Sequence, residues 1–163
     1  MTNVTFGVIV KPNVRREVKI MNLLHVSNVL GGAKVLGFQI ESQMDLITLG
    51  SKGVTKDAVT HLAGYASMPF RQVASLLPIS ERTLLRCKPK EHLNKPVSEH
   101  VLQIAEVFAK GVEVFEDKER FFEWLKQSNT ALGGKNPLML LDSRFGIDMV
   151  IDELGRIETG VYS

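Results

Sequence analysis

Six apolar residues in the second half of the chain fix its structural class. Val101, Ile104, Ala105, Phe108, Val112 and Phe115 recur at steps of three, four and seven, so an α-helix would gather them into one stripe along its length. A strand, whose side chains alternate, would scatter them over both faces. The next segment follows the same rule with bulkier groups. Asp117 is placed to cap "KERFFEWLKQ", where Phe121, Phe122, Trp124 and Leu125 supply an apolar side read as core. Upstream, "ESQMDLITL" reads as a short helix closed by Gly50 in a left-handed cap. Thr55 reads as the N-cap of a helix whose Ala58, Val59, Leu62, Ala63 and Ala66 share a face. The expected class is mainly α.

Two stretches break the helical pattern. "VTFGVIV" has the apolar run of a short strand, which Pro12 and Asn13 then interrupt. Residues 1–28 are therefore read as an N-terminal arm or short strand. "KPKEHLNKP" (88–96) holds two prolines and no periodicity, and reads as a linker. The expected division is an arm at 1–28, a helical module at 29–96 and a second helical module at 97–163.

Composition excludes more than it selects. Cys87 is the only cysteine among 163 residues, so no internal disulfide can form, and it is assigned to the core. The run Phe6 to Val10 is too short for a signal-peptide core or a membrane span, so the expectation is a cytoplasmic protein with no membrane role. His25, His61, His92 and His100 are scattered without metal-ligand spacing. "GGKN" fails as a phosphate loop, because Asn129 stands where a glycine is needed and Asn136 where a Ser or Thr is needed. No catalytic residue, metal or cofactor is nominated, and a non-enzyme is expected. Charge is more informative. Residues 80–96 carry five basic side chains against two acids, whereas residues 142–163 carry five acids against two arginines. A basic middle and an acidic end suit two different partners.

The basic middle has the organisation of a DNA-reading helix pair. In "FRQVASLLPISERTLLRCK" (70–88), a first helix would turn Val73, Ala74 and Leu77 inward, Pro78-Ile79 would form the turn, and Ser80 would cap a second helix burying Leu84 and Cys87. Glu81, Arg82, Thr83 and Arg86 would face outward, followed by Lys88 and Lys90. Arginine can grip a guanine edge through two hydrogen bonds, and lysine can hold phosphate. Proline cannot adopt the positive φ usual in such turns, so Pro78 demands another corner shape.

The acidic end is a string of turns and caps. Gly133-Gly134 is a turn, Asn136 caps a short helix with Pro137 at its first position, and a last helix starts near Arg144. Phe145, Met149, Val150, Leu154 and Ile157 are expected on one side of it. Asp148, Asp152 and Arg156, four apart, are expected to pair on the other. "RIETGVYS" reads as a short terminal tail, frayed or tied down by a partner.

From Val29 onward the chain resembles the Xre/MbcA/ParS antitoxins of bacterial type II toxin–antitoxin pairs. The resemblance rests on "VLGGAKVLG" and "DLITLGSKGVTKDAV", and on "LLPISERTLLR", similar to the family signature Ile-Ser-x-Arg-Thr-Leu-x-Arg. It is densest at Trp124-Leu125, Asn129, Ala131-Leu132-Gly133-Gly134, Pro137-Leu138, Gly146, Val150, Leu154, Ile157 and Gly160. It implies an Xre-like helix-turn-helix part that dimerises and binds operator DNA. A C-terminal helical part would bind a RES-domain toxin, an enzyme consuming NAD or using it to ADP-ribosylate a target. By position it assigns Ser80, Arg82, Thr83, Arg86 and Lys88 to DNA. It assigns Arg156, Ile157, Glu158, Thr159, Gly160, Val161 and Tyr162 to the toxin, with acidic residues near the tail answering an arginine of the NAD site. Trp124, Leu132, Gly133, Gly134 and Pro137 would be scaffold. A stand-alone helix-turn-helix regulator, whose C-terminal module senses a ligand or only dimerises, is the alternative.

Overall fold

The apolar stripe lies on α7 (Lys95–Phe115), and more of that helix is buried than the stripe. Val97, Leu102, Val107 and Ala109 are enclosed as well, so apolar groups surround most of its circumference. A helix of this kind must be wrapped by others. In the computed structural model, which describes the backbone of residues 12–160 and the side chains of Glu17 and of residues 19–160, α7 is the central element. It packs against α1 (Pro12–Val29), α3 (Gln43–Lys52), α8 (Lys118–Lys126) and α10 (Arg144–Glu158). Burying a side chain such as Phe108 or Ile104 is worth roughly 1.5–3 kcal/mol, so the environment of α7 is a large share of the folding drive.

Residues 12–28 are not an arm or a strand. They belong to α1, with Pro12 as its first residue, where a missing N–H costs nothing because helix-start donors lack intrahelical partners anyway. Leu23, Val26, Val29 and Leu30 are buried, and α1 packs on α7 and on α4 (Lys56–Tyr65). The strand expected at "VTFGVIV" lies outside the described residues. A four-residue turn of helix, α2 (Ala33–Leu36), connects α1 to α3.

The ends of α3 and α4 follow from capping. Ser42 and Asp45 form a reciprocal capping box at the start of α3: the Ser42 hydroxyl accepts from the Asp45 N–H at 3.3 Å, and the Asp45 carboxylate accepts from the Ser42 N–H at 2.8 Å. The Ser42 hydroxyl, which donates to the same carboxylate at 2.8 Å, and the Glu41 and Ser42 N–H groups hold the Asp45 carboxyl below the usual carboxylate range. The helix does not stop at Gly50. It runs to Lys52 and is capped by Gly53, whose φ is 93°. Gly50 instead lies buried at the contact with α7, where an added Cβ would come within 3.2 Å of Glu99. Thr55 caps α4 as its position implied.

The segment 88–96 is tied to α4 along its length. The Lys56 and Asp57 amides, helix-start donors with no partner inside α4, donate to the Glu91 and Pro89 carbonyls at 3.2 and 2.9 Å. The Leu93 N–H donates to the Val54 carbonyl at 2.8 Å. Ser98, fully buried on α7, accepts from the Val54 N–H at 3.0 Å and donates to the Leu93 carbonyl at 3.1 Å. One hydroxyl thus joins the segment, the entry to α4 and the start of α7.

After α8, Asn129 and the 3-10 turn Thr130–Leu132 lead to α9 (Pro137–Leu140), which Asn136 caps, and then to α10. Gly146 sits where α10 crosses α9, its Cα against the Leu140 backbone carbonyl. The buried His100 of α7 shares a 2.7 Å hydrogen bond with the Leu141 carbonyl and fixes the same corner. We expect Gly146→Ala to lower stability by about 1–3 kcal/mol, the usual cost of overpacking, because the obstructing atom is backbone and cannot rotate away. Chemical denaturation would measure this. Unchanged stability would mean that the two helices do not cross this closely.

Candidate functional site

The basic middle folds as α5 (Phe70–Ala74), a turn, and α6 (Glu81–Arg86). Val73, Ala74, Leu77 and Leu84 are buried between this pair and the core, and Ile79 and Cys87 are half-buried. The turn takes a form that proline permits. No residue between 70 and 88 has a positive φ. The Ile79 N–H donates to the Leu77 carbonyl at 2.8 Å, which closes a three-residue turn with Pro78 at its centre. The common version of that turn needs a central φ near −75°, close to the value the pyrrolidine ring imposes.

Neighbouring charges hold α6 at both ends. Arg71 of α5 pairs with Glu81 at 2.7 Å across the corner. Lys56 of α4 donates to the Leu85 and Cys87 carbonyls, both at 3.0 Å, and places a cation at the helix end where the backbone dipole is negative. Ser80 and Thr83 are used partly within the helix. The Ser80 hydroxyl accepts from the Thr83 N–H at 3.1 Å, and the two hydroxyls lie 2.7 Å apart. Arg82, Arg86 and Lys88 are exposed and make no ion pair among the described residues. Arg71, Glu81, Arg82, Leu85 and Arg86 line a shallow depression of about 530 Å³. Sequence pattern nominates the two arginines of α6. The supporting roles of Lys56 and Arg71 depend on chain crossings that no local pattern encodes.

The acidic end differs more from its expected form. Helix α10 continues to Glu158, so Arg156, Ile157 and Glu158 are helical and only Thr159 and Gly160 are described beyond it. Val161 and Tyr162 lie outside the described residues. Arg156 pairs with Glu153, not with Asp152: its Nε and one terminal nitrogen both lie 2.7 Å from the same carboxylate oxygen. Glu153 is largely buried and also accepts from the Asn129 side chain at 3.5 Å, so Arg156 turns toward the less solvated of the two carboxylates. Glu158 pairs with Lys110 of α7 at 2.7 Å. Of the residues assigned to the partner, Glu158 therefore fastens the end of α10 to α7, and Arg156 braces Glu153 within α10 itself.

Phe145 and Met149 are not core residues. Ile147, Val150 and Leu154 face inward, whereas Phe145 is 83% and Met149 44% exposed. At about 100° per residue, these two lie roughly 100–140° around the helix from Val150. The spacing of four between them marks a second column, which a count of apolar residues merges with the first.

Among the described residues, no three His, Cys, Asp or Glu side chains gather to hold a metal ion, and no helix is long and apolar enough to cross a membrane. The parts present are a helix-turn-helix with a basic outer side and a C-terminal helical module whose last helix is fastened to α7. Residues 45–106 match the antitoxin Xre-like helix-turn-helix domain, and residues 110–160 match the antitoxin Xre/MbcA/ParS C-terminal toxin-binding domain. Similar proteins include an antitoxin Xre of Yersinia enterocolitica, 28% identical over 68% of this chain and 76% of that one. Another is an antitoxin Xre of Photorhabdus laumondii, 24% identical over 80% and 89%. The chain belongs to the Xre/MbcA/ParS antitoxin family.

Replacing Arg156 by Ala should cost about 1–3 kcal/mol, since it leaves the buried Glu153 carboxylate short of a partner. Arg156→Lys should recover part of the loss. Thermal denaturation of both variants distinguishes this bracing role from a purely external one, for which neither substitution would alter stability.

Proposed function

We propose that this antitoxin neutralises a RES-domain, NAD-consuming toxin by laying its C-terminal end over the toxin's active-site cleft, and that it represses its own operon through α6. The observation that carries the first part is how α10 ends. Its last turn is braced by Arg156–Glu153 and Glu158–Lys110, so the chain leaves the fold from a fixed point. Gly160 follows with φ 70° and open space around it, a position where backbone can approach another surface without a Cβ between them. In this reading Arg156, Ile157 and Glu158 aim the end of the chain, and Thr159, Gly160, Val161 and Tyr162 make the direct contacts. Work divides between a DNA-binding and dimerisation part at 29–96 and a toxin-binding part at 97–163, within a cytoplasmic complex. Two copies would offer two α6 helices to operator half-sites about 34 Å apart, one turn of the duplex.

Deleting residues 159–163 tests the covering mechanism while sparing both ion pairs. The truncated protein should keep its melting temperature yet fail to protect cells that express the product of the adjacent open reading frame. Full protection would reject a cleft covered by the tail. For α6, Arg82→Ala with Arg86→Ala should weaken binding to the DNA upstream of the protein's own gene. The slope of log K against log salt should fall by roughly 1–2, one for each phosphate that is no longer neutralised. An unaltered slope and affinity would remove α6 from the DNA interface and favour a regulator of another kind.

A further inference from the structure

Phe145 is a large apolar side chain standing almost wholly in water, and it does not stand alone. Met149 lies one turn further along the same side of α10 and is 44% exposed, and Met139 of α9 is 64% exposed. The two helices meet where Gly146, next to Phe145 in sequence, lies against the backbone of Leu140, next to Met139. Exposed apolar residues that are scattered singly need no explanation, but a cluster containing an aromatic and two methionines is the composition of a recognition surface. Acidic groups edge it. Asp142, Asp148 and Asp152 are all exposed, and the one ion pair they make among the described residues, Arg144–Asp148, is loose at 4.0 Å.

We infer that Phe145, Met149 and Met139 form the primary docking surface for the toxin, which meets them with an apolar pocket edged by basic side chains. This deepens the toxin-binding reading above and rests on it. Charge decides the occupant. A phosphate backbone is repelled by the aspartates. A second copy, meeting the patch through a two-fold axis, would set Asp148 and Asp152 against their own images. A different protein with basic groups around an apolar pocket has neither difficulty. All six residues lie within the segment that matches the toxin-binding domain. The patch is also continuous with the end of the chain. Phe145, Met149, Asp152 and Arg156 succeed one another at steps of four, three and four, so they run down one side of α10 toward Gly160. A toxin seated on the patch therefore already lies alongside the helix from which the tail departs. The patch supplies affinity, and the tail supplies inhibition.

The test compares the full-length chain with its Phe145→Asp, Met149→Asp variant, using the product of the adjacent open reading frame as the ligand. These side chains are exposed, so the variant should melt near the wild-type temperature and bind its upstream DNA unchanged. Its affinity for the neighbour should fall at least about thirtyfold, the loss expected from a single interface hot spot. The milder Phe145→Ala should fall in the same direction with less effect. Undiminished capture by the double variant would overturn the inference. So would a wild-type dimer that the double variant converts to monomers, because the patch would then belong to a second copy. Failure of the wild-type chain itself to bind the neighbour would instead overturn the toxin-binding reading on which the inference rests.

Discussion

A single helix apolar around most of its circumference dictates the arrangement of the rest. Such a helix cannot lie on a surface, so α7 is surrounded by α1, α3, α8 and α10, and each of these needs only one apolar side. Its small residues set how closely the neighbours approach. Gly111 gives way to the Phe121 ring, where an added Cβ would collide with it. Phe121 in turn packs edge-on to Phe108 and stacks with Trp124, so the aromatic cluster of α8 depends on one missing side chain of α7. The scaffold at the tryptophan end is a consequence of that approach.

Polar groups in this interior fix positions more than they add stability. Ser98 joins three chain segments at the start of α7, His100 holds the corner between α9 and α10, and Glu153 gathers Arg156 and Asn129. No buried side-chain nitrogen or oxygen among the described residues lacks a partner. A buried polar atom left unpaired costs about 1–3 kcal/mol, so each of these bonds penalises alternative placements of the segment it holds. Apolar contacts decide that α10 packs on α7. The bonds at His100 and Glu153 decide where it starts and where it ends.

Local chemistry was legible in the sequence wherever the physics is local. Thr55, Ser80, Asp117 and Asn136 all cap the helices they were expected to cap, because a cap needs only a side-chain oxygen and the next turn's amides. The α5–α6 corner was legible too, including the demand that Pro78 places on its shape. The failures share a cause. Pro12 reads as a break when its neighbours are unknown and as a helix start once α7 is there to receive Leu23 and Val26. Phe145 reads as core because it is apolar and four residues from Met149, but only the direction of α7 selects which of two adjacent columns is buried. Arg156 is equally able to reach Asp152 or Glu153, and burial of Glu153 by residues far away in sequence settles the choice.

The same distinction separates scaffold from function. On α6 and α10, inward-facing groups and helix-end charges are consumed by the fold: Leu84 with Lys56 and Glu81 for one, Val150 and Leu154 with Arg156 and Glu158 for the other. What remains outward is of opposite character, arginines on α6 and an aromatic with methionines among aspartates on α10. Neither set is used by the contacts that hold the monomer together, so both are free to meet other molecules. The two surfaces thus lie on separate helices of one chain, α6 and α10, each held in place by its own buried side and end contacts.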